Sequence, residues 1–148
     1  MDEVADALRG AGMRVNLELK PCRGRDDETG RVVAWAVLAG WRDAEVLPLL
    51  SSFSREALAA ARALAPGVPR ALRTERGDDE ALRAAVELRC AAVNVAEAEL
   101  TEAFVTHARG VGLRVLAWTP NDPARIAALR ALGGDGVITD AVDQVRPA

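Results

Sequence analysis

One lysine stands among the nineteen basic residues of this 148-residue chain, and it lies two positions after a glutamate: Glu18 and Lys20, in the stretch "NLELKP". The two basic side chains are not interchangeable, because a guanidinium is a flat fork of donors and an ammonium a compact point charge on a flexible stem. An ammonium beside a carboxylate suits a site that sets one positive charge next to a metal-held phosphate; an ordinary structural Glu–Lys pair would leave the same trace. Alternate residues of a strand share a face. Val15, Leu17 and Leu19 therefore form an apolar face, and Asn16, Glu18 and Lys20 a polar one. A lone carboxylate turned inward would cost on the order of several kcal/mol, so Glu18 requires Lys20, a cation, or both.

The same parity argument applies to "LRVLAWT", which sets Leu116 and Trp118 on one face with Trp118 at the carboxyl end. A core tryptophan and a pocket wall both satisfy it. Phe53, after "LLSS", holds the corresponding end of another strand, where packing is the commoner role. His107 is the single histidine, and it falls near the end of a helix, where the dipole mildly favours positive charge. With no histidine near it in the sequence, Cys22 lacks the base that would activate a thiol.

These residues must be positioned by elements that alternate from end to end. A helix over Asp2 to Gly10 leads to the strand "RVNLEL", and an apolar helical stretch, Val32 to Trp41, leads to "EVLPLLSSF". Ser54 then caps a helix that carries Leu58, Ala61 and Ala65 on one face and stops at "APG". "VPRALRT" precedes a helix opened by Asp78 or Asp79, and "CAAVNV" precedes one running from Thr101 to Gly110. After "GLRVLAWT" the signal is strong, with Asp122 as cap, Pro123 at the first helical position, Ile126 and Leu129 on one face and Gly133 at the end. "GDGVITD" is the last strand, and a short helical stub follows near Val142. Strands separated by helices imply parallel pairing and an α/β architecture. Six strands in 148 residues give about 25 residues per unit, whereas an eight-unit (β/α) barrel typically needs about 250 in all. The expected fold is thus a partial TIM (β/α) barrel of about six units, and its active site would lie at the carboxyl ends of the strands.

Composition narrows the partners. A net charge of −3 with interspersed signs provides no basic stripe for nucleic acid. Val32 to Trp41, the longest apolar run, is too short for a transmembrane segment, and the start "MDEVADALRG" does not read as a signal sequence. Cys22 and Cys90 are far apart and form neither a zinc spacing nor a disulfide framework, so a cytoplasmic setting is expected. No Gly-x-Gly-x-x-Gly follows the first strand, which leaves dinucleotide binding without support.

Taken in order, "VNLELKP", "LLSSF" and "HARGVGLRVLAWTPNDPARIAALRALGGDGVITD" resemble the later two thirds of the glycerophosphodiester phosphodiesterase family. That family has a phospholipase C-like phosphodiesterase (β/α) barrel. The resemblance covers nearly the whole chain and is most specific from "WTPND" to "GDGVITD". It implies a single domain over residues 1–148, and hydrolysis of glycerophosphodiesters to glycerol 3-phosphate and an alcohol, within lipid and glycerol metabolism. A divalent cation, Ca²⁺ or Mg²⁺, would assist. By the same resemblance Glu18 is a metal ligand, Lys20 lies at the phosphate, and Trp118 and Phe53 line the substrate pocket. The family's His-Arg-Gly strand, its Glu-x-Asp strand and its His-Asp pair have no counterpart here. The resemblance therefore implies a domain that lacks its N-terminal catalytic segment, no general acid–base histidine, and a cation weakly bound or absent. Its alternative is a catalytically inactive partial barrel. Partners are expected to be small-molecule glycerophosphodiesters, with self-association through exposed sheet edges.

Overall fold

A computed structural model describes residues 2–145 of the chain. Two compact units divide it, the first ending at Leu72 and the second starting at Arg73. In the first, α1 (Asp2–Gly10) precedes β1 (Asn16–Glu18), α2 (Asp26–Gly40), β2 (Leu49–Ser52), α3 (Arg55–Leu64) and the start of β3 (Arg70–Thr74). The second holds α4 (Asp79–Glu87), β4 (Ala92–Ala96), α5 (Glu102–Gly110), β5 (Arg114–Trp118), α6 (Pro123–Ala131) and β6 (Gly136–Ile138). Every printed neighbour pair is parallel: β1 with β2 and β2 with β3 in the first unit, β4 with β5 and β5 with β6 in the second. Strand–helix units whose strands neighbour one another in chain order make this a partial TIM barrel of about six units.

Local chemistry explains the helix starts. Ser54, Asp78, Thr101 and Asp122 each accept a hydrogen bond from a first-turn amide, at Ala57, Ala81, Phe104 and Ala124 respectively. Each cap satisfies a donor that the helix itself cannot. Of the two aspartates open to that role, Asp78 is the cap. α2 begins at Asp26, six residues earlier than its apolar stretch indicates, because its signal is electrostatic. Asp26, Asp27 and Glu28 occupy the first turn, where the helix dipole favours anions, and no side chain caps it. The stub expected near Val142 is instead a turn, with the amides of Gln144 and Val145 both donating to the Ala141 carbonyl. One such turn fixes several residues for very few bonds and does not propagate.

In the first unit the core lies between the strands and α2 and α3, built from Leu19, Ala34, Val37, Trp41, Leu50, Ala57, Ala61 and Val68, with Val15 and Leu17 packed against it. The apolar parity of "VNLELK" thus faces the helices, as its alternation requires. Gly30 permits the close approach of α2 to α3, since a Cβ there would sit 2.2 Å from the Ala57 carbonyl oxygen. In the second unit Val93, Val95, Val115 and Ala117 are fully buried on one parity of β4 and β5. Their alternates Asn94, Leu116 and Trp118 point to the opposite face, since Asn94 is level with Leu116 and Ala96 with Trp118.

Candidate functional site

Two strand ends carry the candidate residues. In the first unit Glu18 is level with Ser51 across the β1–β2 ladder. The pairing continues past the strand, where the Leu19 amide donates to the Ser51 carbonyl at 2.7 Å. Serine hydroxyls lock the exit. Ser52 Oγ donates to the Leu19 carbonyl at 2.8 Å and accepts from the Ser54 amide at 3.0 Å. Ser54 Oγ donates to Asp26 Oδ1 at 2.6 Å, which ties the start of α3 to the start of α2.

On this fixed frame Lys20 Nζ lies 3.5 Å from Glu18 Oε2, with the lysine side chain 77% exposed and the glutamate 23%. The structure therefore brings together the pair that opened the sequence reading. The carboxylate is the withdrawn partner, and the ammonium reaches into solvent. Lys20 also lines a shallow depression of 270 Å³ with Cys22, Arg25, Glu28 and Thr29. Arg25 is committed there to a two-pronged pair with Glu28, at 2.6 and 2.7 Å. That guanidinium, by hydrogen bond and charge, holds the Glu28 carboxyl below the usual range. Phe53 follows β2 on the same parity as Ser51 and is exposed.

The second unit's strand end is assembled differently. Trp118 ends β5 half-buried, and its indole Nε1 donates to the Asn94 carbonyl at 3.1 Å. The guanidinium of Arg73, from the end of β3, lies 4.9 Å from the centre of the Trp118 ring. Such stacking is worth roughly 0.5–2 kcal/mol, more as the pair is withdrawn from water. Arg73 is itself only 9% exposed. Asn94 is fully buried, and neither amide atom of its side chain has a hydrogen-bond partner among the described residues.

His107 stands apart. It lies near the C-terminal end of α5, the end that leads into the start of β5, and its Nδ1 is 3.6 Å from Asp79 Oδ1. Both side chains are exposed. In a strand–helix unit that end is opposite the carboxyl ends of the strands. The pair is a surface contact between α5 and α4.

The family model for glycerophosphoryl diester phosphodiesterases matches residues 1–144. The chain belongs to that family. Among solved structures, an Oleispira antarctica phosphodiesterase in complex with its product sn-glycerol-3-phosphate is 28% identical, with a TM-score of 0.83 over 95% of this chain and 57% of that one. A Silicibacter pomeroyi protein described as a glycerophosphoryl diester phosphodiesterase is 27% identical, with a TM-score of 0.81 over 95% of this chain and 52% of that one. A Galdieria sulphuraria structure at 22% identity and a TM-score of 0.76, over 93% of this chain and 58% of that one, shares the fold. The chain thus spans a little over half the length of the structures it matches. No curated protein matches it.

Phosphodiesterases of this family generally depend on a divalent cation. The donors described here do not fit one. Among the described residues no group of three or more His, Cys, Asp or Glu side chains is arranged to hold a metal ion. Near Glu18 the buried hydroxyl of Ser51 is the added oxygen, and an ammonium sits 3.5 Å from the carboxylate. Ca²⁺ takes six to eight oxygens and Mg²⁺ an octahedron. Glu18 supplies one ligand of such a set, and Lys20 repels the ion that would complete it.

Three site-facing polar residues escaped the sequence reading: Ser51, Arg73 and Asn94. Their signal was present in the alternation that singled out Glu18. Asn94 breaks "AAVNVA" on the parity opposite Val93 and Val95, and Ser51 breaks "LPLLSS" on the parity opposite Leu50.

Proposed function

We propose that this chain contributes the phosphate- and glycerol-recognising strand ends of a glycerophosphodiester phosphodiesterase, acting in the cytoplasm on small-molecule glycerophosphodiesters and releasing glycerol 3-phosphate and an alcohol. The observation that carries this reading is the likeness to a phosphodiesterase solved with sn-glycerol-3-phosphate, at 28% identity across 95% of this chain. Lys20, solvent-facing and tied at its base to Glu18, meets the phosphate as a flexible point charge. Glu18 orients that ammonium and offers one carboxylate oxygen to a cation. Trp118 provides an apolar wall for the glycerol carbons, held in orientation by its bond to the Asn94 carbonyl. Phe53 adds a second exposed ring surface.

A second reading, recognition without turnover, is favoured by the donor set. No described cluster holds a metal, and the one histidine lies on an outer helix surface. A single general acid or base contributes about 10²–10⁴ in rate. One experiment separates the two readings. Hydrolysis of glycerophosphocholine is followed with Ca²⁺ or Mg²⁺, beside calorimetric titration with sn-glycerol 3-phosphate. The phosphodiesterase reading expects turnover that Glu18→Ala and Lys20→Ala each cut by about 10²-fold or more, the scale of losing a charge-stabilising group. Binding lost in Lys20→Ala, with no turnover above a Glu18→Ala control, selects the second. Absence of both binding and turnover refutes each.

A further inference from the structure

Outside the strand ends, α2 carries the feature of the molecule least explained by the fold. Its inner side is buried through Gly30, Ala34, Val37 and Gly40. Its outer side exposes Val32 at 59%, Trp35 at 66% and Leu38 at 44%, with Ala39 beside them. Tryptophan is rarely left on a surface without use, and the residues that dominate interfaces are enriched in it. The charges at either end of this stripe are ordered too. Glu28 precedes Trp35 by seven residues and Arg42 follows it by seven, and both are exposed. Positions seven apart on a helix return to nearly the same line along its surface. Glu28 and Trp35 therefore lie on one line, opposite the buried side, and Arg42 follows in the turn just past the end of the helix.

We infer that this face is a homodimer surface, on which α2 of one copy packs antiparallel against α2 of a second. A twofold interface must be complementary to itself, each residue meeting its counterpart across the axis. With the axis at Trp35 the sequence meets that demand. The two Trp35 rings meet, Val32 falls opposite Leu38, and Glu28, which Arg25 of its own helix start already holds, falls toward Arg42 twice. Antiparallel helices also bring the acidic first turn of one, Asp26 to Glu28, beside the negative C-terminal end of the other, where Arg42, just past that helix, supplies the opposing charge. The one like-charge juxtaposition is Asp27 opposite Asp43, and Asp27 is already paired with Arg31 at 2.7 Å. A parallel pairing would instead bring Glu28 to Glu28 and Arg42 to Arg42. One fifteen-residue helix offers less than the roughly 800 Å² per partner of a standard interface, so the dimer is weak and concentration-dependent.

Sedimentation equilibrium of the full chain over a wide concentration range tests this, with circular dichroism confirming that each variant is folded. The wild type is expected to approach a dimer, and Trp35→Glu to weaken association by about thirtyfold or more, the loss typical of a hot-spot residue. Val32→Glu, which leaves the tryptophan in place, should act in the same direction. Glu28→Arg and Arg42→Glu should each weaken it, and the two together should restore it. A wild type that stays monomeric overturns the proposal. So does association indifferent to Trp35→Glu, as pairing through the β1 or β6 edges would be, and so does a double charge swap that fails to rescue.

Discussion

The β1 end and the β5 end of this protein present their candidate residues under opposite physical conditions. At β1 a charged pair sits at the water's edge, with Lys20 77% exposed and Glu18 supported from below by a relay of serine hydroxyls. At β5 an aromatic ring is held from two sides, by the Asn94 carbonyl at 3.1 Å and the Arg73 guanidinium at 4.9 Å. The first arrangement adds recognition to a frame that stands without it. The second makes one side chain serve the fold and the site together. Substitutions at the two ends should therefore separate stability from binding, and their expected sizes differ accordingly.

Trp118→Ala should have the largest effect on folding. It removes a half-buried ring, the stack with Arg73 and a hydrogen bond to the Asn94 carbonyl. The expected loss is about 2–4 kcal/mol, somewhat below the full core range because the ring is partly exposed. Trp118→Phe keeps most of the surface and forfeits the donor, for about 1 kcal/mol. Urea melts of both variants check the pair of values. Equal losses would mean that the indole N–H, and not the ring, anchors this strand end.

Asn94→Leu sharpens the same comparison with the opposite sign. A fully buried amide without a hydrogen-bond partner carries its desolvation cost uncompensated, roughly 1–3 kcal/mol. Leucine keeps the branched outline without the polar atoms, and Asn94→Val serves if the leucine methyls crowd the strand. One of the two should raise stability by about 1 kcal/mol. Destabilisation by both would show that the amide is satisfied, and that the β5 end is a polar network instead of an aromatic clamp.

What the sequence disclosed follows the same division. Caps and parities are local, and they placed Ser54, Thr101 and Asp122 at helix starts and turned Leu19 toward the helices. The Glu18–Lys20 pair is local as well, two residues apart on one strand, and it forms at 3.5 Å. Contacts across longer separations were not legible. Nothing in "RALRT" announces that Arg73 will lie over a ring 45 residues on, and nothing near Ser54 announces Asp26. The early start of α2 was missed for another reason. Its three acidic residues carry no apolar periodicity, and the dipole term that favours them is worth about 0.3–1 kcal/mol each. The functional residues that escaped notice, Arg73 and Asn94, are those whose meaning depends on what the fold brings above or beside them.

The smallest effect on folding is expected at the residue first singled out. Lys20→Ala removes an ammonium that is mostly in water and touches Glu18 at 3.5 Å. Exposed pairs of this kind contribute about 0–1 kcal/mol, because holding a long side chain in place offsets much of the attraction and salt screens the rest. The urea midpoint of Lys20→Ala should thus fall within about 0.5 kcal/mol of the parent, and added salt should narrow the gap. The neighbouring Arg25–Glu28 pair provides an internal reference. Glu28 is held below its ordinary pKa by Arg25, so that pair's contribution is complete above the unfolded glutamate pKa and is lost as pH falls through the lower folded value. Arg25 is the group that lowers it, so carboxyl NMR titration should find Glu28 unmoved in Lys20→Ala and raised in Arg25→Ala. A Glu28 titration that moves in Lys20→Ala would join the two pairs into one charged network. A stability loss well above 1 kcal/mol would make Lys20 a structural residue, and would remove the contrast between a recognition end at β1 and a clamped end at β5.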